Sequence, residues 1–183
     1  MIAILSLLRG VNVSGQKIIK MADLKVLYES LGLESVKTYI QSGNVVFACE
    51  ESREKTIAAE ISAAIKKSYG FDVPVQTFTL PEWRSIATEH PLMNVDPVEE
   101  KMKYVTLLGR MPEKEKLAAL AVPDGDNGTI KVVGKTIYLS CPSGYGRTKL
   151  SNNFFESKLK VQATSRNWRS TQKLLNLLQD VPV

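Results

Sequence analysis

Apolar positions along the chain switch between strand and helix periods in a regular order. Ile2 to Leu8 is an apolar run broken only by Ser6 and ended by Arg9-Gly10-Val11-Asn12, the pattern of a central buried strand running into a turn. Leu24, Leu27, Tyr28 and Leu31 recur at helical spacing and Gly32 stops them, which predicts a helix over about 21–31. Two short β-rich runs, Val36 to Gln41 and Asn44 to Ala48, flank Ser42-Gly43, a hairpin signal because glycine supplies a positive φ cheaply. A second helix is predicted over about 53–69 from Ile57, Ile61, Ile65 and Tyr69 on one face, with Gly70 closing it and a strand at Val73 to Thr79. The order βαββαβ is that of a ferredoxin-like domain.

Pro81 opens a short helix to about Glu89, and His90 to Lys101 reads as a linker in which His90 is solvated. The same order then returns: strand Tyr104 to Leu108, helix Pro112 to about Leu120, and strands Thr129 to Val133 and Thr136 to Ser140 around Gly134-Lys135. A helix over Asn152 to Lys160, an extended Val161 to Thr164 and a last helix over Asn167 to Gln179 complete the half. The expected fold is α+β, two ferredoxin-like βαββα(β) halves in tandem at 1–90 and 102–183, the second carrying the C-terminal helix. The repeat lies in element order and not in residues.

Composition narrows what such a chain does. One histidine in 183 residues excludes a His-rich metal centre or a two-histidine relay. Two cysteines without paired spacing suggest neither a disulfide framework nor a zinc knuckle, so no metal and no cofactor is expected. With no signal-peptide pattern and no apolar run of roughly 20 residues, a cytoplasmic protein with no membrane partner is expected. Charge is uneven: residues 1–100 hold 10 Lys and Arg against 13 acids, whereas 101–183 hold 14 against 6. From Lys131 to Lys173 nine basic residues face one acid, Glu156.

Four polar stretches carry the candidate chemistry. Arg9-Gly-Val-Asn-Val-Ser-Gly15 leaves the end of a strand, where α/β sheets commonly hold ligands, although it lacks a dinucleotide-binding spacing. Gln41-Ser-Gly-Asn44 offers amides and a hydroxyl, groups that hairpins also use for their own backbone. Cys141-Pro-Ser-Gly-Tyr-Gly-Arg-Thr-Lys149 lets Gly144 and Gly146 bring backbone N–H groups to an anion, with Arg147 and Lys149 beside them, and Cys141 is a nucleophile candidate with cationic neighbours. In Ser165-Arg-Asn-Trp-Arg-Ser170, Ser165 is expected to cap the last helix. Arg166, Asn167 and Arg169 then stand at its positive end, an arrangement that suits a bound anion, and Trp168 belongs to the core.

Together RGVNVSG at 9–15, YIQSGNVVF at 39–47, GYGRTKL at 144–150 and ATSRNWRS at 163–170 resemble a bacterial family of proteins of unknown function, DUF family 1697. The resemblance covers nearly the whole chain in order and spacing, with Ser165 standing where the family pattern more often has alanine. It implies an α+β fold of ferredoxin-like halves and brings no assigned catalytic residue, cofactor or substrate.

The polar residues in these motifs are Arg9, Asn12, Gln41, Ser42, Asn44, Arg147, Lys149, Arg166, Asn167 and Arg169. They favour a protein that binds a phosphate-containing ligand, a nucleotide or a nucleic acid backbone, with the cations gripping phosphate and the amides orienting it. An enzyme acting on a small anionic substrate, and an interaction module for an acidic partner, are the alternatives.

Overall fold

A computed structural model describes residues 1–94 and 99–183, so part of the expected linker, 95–98, lies outside the described residues. The chain divides into two compact units, Met1–Ser85 with Lys173–Val183, and Ile86–Gln172. Residues 86–90 thus group with the second unit and 173–183 with the first.

The first unit contains β1 (Ile2–Leu8), α1 (Met21–Ser30), β2 (Glu34–Tyr39), β3 (Asn44–Cys49), α2 (Ile57–Tyr69), β4 (Val75–Thr79) and the start of α3 (Leu80–Ala87). Its sheet runs β2-β3-β1-β4, every pair antiparallel, which is the ferredoxin-like order. From Ile4 to Leu8 every residue of β1 is buried, so side chains on both faces of this central strand are removed from water. One face meets the helices: Leu24, Leu27 and Tyr28 of α1 and Ile57, Ile61 and Ile65 of α2 pack with Ile4, Leu8, Val45 and Phe47. Each such aliphatic burial contributes about 1.5–3 kcal/mol. The buried Ser6 hydroxyl and the Tyr28 phenol satisfy each other at 2.8 Å. Helix α2 starts later than its periodicity suggests. Glu51–Arg53 forms a 3-10 turn, from which the Arg53 guanidinium pairs with Glu60 and donates to the Leu31 carbonyl.

The second unit holds β5 (Lys103–Leu108), α4 (Lys114–Ala118), β6 (Thr129–Val133), β7 (Thr136–Ser140), α5 (Asn152–Leu159), β8 (Ala163–Asn167) and the start of α6 (Trp168–Gln179). Its sheet order, β6-β7-β5-β8, reproduces that of the first unit, and so do the registers of its central strand. Leu7 faces Asn44 and Leu8 faces Val75, as Leu107 faces Thr136 and Leu108 faces Ala163. Even the bonds that close the strand ends repeat: Leu8 N–H to Gly43 O and Arg9 N–H to Pro74 O, then Leu108 N–H to Lys135 O and Gly109 N–H to Gln162 O, all 2.9 Å. The repeat read from element order is therefore matched in geometry, with Leu7 and Leu8 standing where Leu107 and Leu108 stand.

Helices α4 and α5 cover one face of this sheet through Leu117, Phe155 and Leu159. On its other face Trp168 packs with Val105, Tyr138 and Met93, which bears out its place in the core. His90 joins this cluster and corrects the expectation of a solvated linker residue. It is 2% exposed, its ring meets Tyr138 and Trp168 edge-on at 5.1 and 5.0 Å, and both nitrogens are engaged. Nδ1 accepts from the Leu92 N–H, which leaves Nε2–H to donate to the Tyr104 carbonyl at 3.2 Å. The linker residues around a prolines-and-polar sequence conceal a residue whose flat ring fits between two aromatics.

Burial holds the His90 imidazole below its ordinary 6.5, and the Lys103 ammonium adds to this against the opposing pull of the Tyr104 carbonyl. The folded chain therefore binds this proton less readily than the unfolded chain, so the stability contribution is complete above about pH 6.5 and is lost as pH falls through the depressed folded value. Urea unfolding at a series of pH values is expected to show stability falling below pH 6.5 in the native chain. His90→Gln is expected to be less stable at neutral pH and to lose that slope; an unchanged slope contradicts the assignment.

Candidate functional site

The four polar motifs resolve into two pairs, one at a sheet end in each unit. In the first unit, the loop after β1 is folded on itself by Asn12, held at φ 55°, a conformation asparagine tolerates. Its amide donates to the Ile19 carbonyl at 2.8 Å and to the Gln41 carbonyl at 3.0 Å, and its Oδ1 accepts from the Ile19 N–H at 2.8 Å. One side chain thus closes its own loop and welds it to the β2–β3 turn. The Val13–Gln16 turn at the loop tip has Ser14 and Gly15 both at positive φ, and the Lys17 ammonium ties the loop to the Asp72 carbonyl at 2.6 Å.

The other half of this pair is as tightly drawn. Asn44, fully buried, donates to the Tyr39 carbonyl at 3.0 Å and to the Ser42 hydroxyl at 3.3 Å. Asn12 and Asn44 are therefore turned onto the chain itself, while Arg9 stays half-buried at the end of β1 and Gln41 is exposed. Gly43 stands at φ 68° where a Cβ would come 2.6 Å from Leu8 Cβ and 2.7 Å from Val11 Cγ2. The turn needs glycine for both reasons.

In the second unit, Lys103 pairs with Ser140 and Tyr104 with Asn167, and the Cys141 N–H bonds the Met102 carbonyl. The exits of β7 and β8 consequently flank the start of β5, and bring the 141–151 loop and residues 166–169 to the same sheet end. Arg147 is exposed on this loop and Arg169 is exposed in the first turn of α6; neither side chain has an ion-pair or hydrogen-bond partner among the described residues. Arg166 lies in β8, buried, with Nη1 donating to Thr164 Oγ1 at 2.9 Å and to the Ser165 carbonyl at 2.8 Å.

Two expectations are corrected here. The α6 cap is Asn167, whose Oδ1 accepts from the Ser170 N–H at 2.7 Å, whereas Ser165 is a strand residue bonded to Thr106 and Asn152. The strand continues three residues past the predicted end, to Asn167, which then caps the helix. Cys141 is buried, and burial pushes its thiol up to about 11, so its cationic neighbours do not activate it.

A residue that sequence reading missed organises this end. The Asp126 carboxylate accepts from the Gly128 N–H at 2.7 Å, the Thr148 hydroxyl at 2.8 Å and the Lys149 N–H, while the Lys149 ammonium donates to the Asp124 carbonyl at 2.6 Å. Burial works to raise the Asp126 carboxyl, but these hydrogen bonds and the Lys149 charge together hold it below its ordinary value. The available signal was an Asp-Gly-Asp-Asn-Gly turn in the basic half of the chain.

Residues 1–138 match the family model described as protein of unknown function (DUF1697). The motifs at 144–150 and 163–170 lie beyond that match. Among solved structures, the chain is similar to the conserved bacterial protein SP0830 from Streptococcus pneumoniae, with 22% identity, 98% of this chain and 99% of that chain covered, and a TM-score of 0.70. That likeness is one of fold. No curated protein matches the chain.

The close approach at Gly43 sets a test of the first loop pair. Gly43→Ala adds overpacking, about 1–3 kcal/mol, to the cost of a left-handed alanine, about 1–2 kcal/mol. Gly144→Ala, at φ 84° with open space around it, incurs only the second cost. Denaturant titrations are expected to rank Gly43→Ala as the more destabilised, and equal losses contradict the packing account.

Proposed function

Because the chain belongs to the family described as protein of unknown function (DUF1697), which names no reaction, we propose from its own residues that it binds a phosphate-containing small ligand at the polar end of the second sheet. The observation that carries this reading is the pair of exposed guanidinium groups, Arg147 and Arg169, without acidic partners among the described residues, at one sheet end of a basic unit. Guanidinium groups grip phosphate oxygens bidentately, and such charge-assisted bonds are the strong ones. Arg166 and Lys149 add positive charge beside them. Arg9, Gln41 and Ser42 mark the polar end of the first unit, a second place for ligand contacts.

A nucleotide-sized ligand fits better than a nucleic acid strand. Single strands are held by bases stacking on exposed aromatic rings, and the exposed large hydrophobic residues here, among the described ones, are all aliphatic or methionine. The β-sheet faces opposite α1 and α2, and opposite α4 and α5, are also unsuitable as platforms, since Leu5, Leu7, Val105 and Tyr138 on them are buried. Binding is favoured over turnover because His90 is spent on core hydrogen bonds and the Cys141 thiol is held protonated. A cytoplasmic location in a bacterium is part of the reading, and the two free, buried cysteines favour it.

Calorimetric titration with inorganic pyrophosphate and with a nucleoside diphosphate tests the reading. Arg147→Ala and Arg169→Ala are each expected to weaken binding by about tenfold or more, the loss that accompanies one hydrogen bond to a charged group. Affinity is expected to fall only modestly between about 50 and 200 mM salt, whereas a nucleic acid ligand would lose several orders of magnitude. No saturable binding of either probe overturns the proposal, and tight binding of an acidic protein with no effect of pyrophosphate replaces it with the interaction module.

A further inference from the structure

The 141–151 loop already holds an anion, and that anion is its own chain. Within the second unit, α4 ends at Ala118 and no regular element follows until Thr129, a stretch rich in turn residues of which half are exposed and half partly buried. This stretch is stitched to the motif loop at four points: Asn127 Oδ1 accepts from the Ser143 hydroxyl at 3.2 Å, Asp126 from the Thr148 hydroxyl and the Lys149 N–H, and the Asp124 carbonyl from the Lys149 ammonium. Every donor on the motif side is a group that an external phosphate or carboxylate would use. Lys149 Nζ stands 3.7 Å from where a Cβ of Gly125 would lie, an ordinary van der Waals contact that places the ammonium against this stretch.

We propose that the Lys149 N–H and the Thr148 hydroxyl, with the Lys149 ammonium held beside them on the Asp124 carbonyl, form an anion seat which Asp126 occupies in the resting protein, and that a phosphate group of the ligand enters by displacing it. The inference rests on the phosphate-ligand reading and adds where one phosphate goes and what competes for the place. The physical basis is exchange of like for like. A carboxylate and a phosphate accept from the same N–H and O–H donors, so occupation by Asp126 and by the ligand exclude each other. The competitor is tethered, and its effective concentration is high as long as the 119–128 stretch stays folded against the loop. Release of that stretch then accompanies binding. Arg147 and Arg169 lie outside this contact and remain available to the ligand throughout.

Asp126→Asn keeps the shape and a carbonyl acceptor but removes the charge. If Asp126 occupies the seat nine times in ten or more, the apparent pyrophosphate affinity of this variant is expected to rise about tenfold or more. Because the substitution also loosens the loop, a second measurement uses the native chain. On titration with pyrophosphate, the Lys149 and Gly128 amide resonances are expected to shift together, Lys149 from exchange of its acceptor and Gly128 from loss of Asp126.

Equal or weaker pyrophosphate binding by Asp126→Asn, with those two amides unmoved while the native chain binds, overturns the latch and leaves the phosphate-ligand reading standing. An absence of pyrophosphate binding by native chain and variant alike removes both.

Discussion

Two strands, β1 and β5, run through the middle of their sheets with both faces closed, and the rest of the molecule is arranged around that constraint. An antiparallel strand needs both faces apolar when both are covered, which explains why Ile2 to Leu8 reads as a run and not as an alternation. Where a polar group does enter these layers, it arrives with its partner. Ser6 meets Tyr28, and the buried Lys103 ammonium donates to the Leu92 carbonyl and the Ser140 hydroxyl. With the faces closed, polar chemistry is confined to the strand ends, and all four motifs are found there.

At those ends side chains divide by chemistry. The carboxamides of Asn12, Asn44 and Asn167 supply donors and acceptors to backbone that no strand or helix satisfies, and so they fix the loops. A guanidinium group has donors only and is hard to bury, so Arg147 and Arg169 remain at the surface while Arg166 is buried against a hydroxyl and a carbonyl. The amides build and the exposed cations face outward. The β-branched Ile40, half-exposed at φ 47° beside the Asn12 weld, shows how firmly the first loop pair is held.

Much of this was legible from residue order. The strands Thr129–Val133 and Thr136–Ser140 fall where alternation and Gly134 place them, and the duplicated βαββ order anticipates two sheets of the same architecture. Partners were not legible. Asn12 and Gln41 are 29 residues apart and Asp126 and Lys149 are 23 apart, and nothing in a one-dimensional pattern joins them. His90 was misread because a single histidine in a Pro-flanked linker looks solvated; only the pair of aromatics brought up by β7 and α6 makes its ring a core residue. Residue types announced which chemistry was present, and the fold decided which of it was already spent.

The central claim is that the ligand chemistry still unspent lies at the start of β5. A crystal structure of the full chain grown with pyrophosphate tests it most directly. The account predicts a diphosphate bound against the Arg147 and Arg169 guanidinium groups. A diphosphate bound only at the Arg9 and Gln41 end, or none at a concentration that saturates the protein in solution, would contradict it.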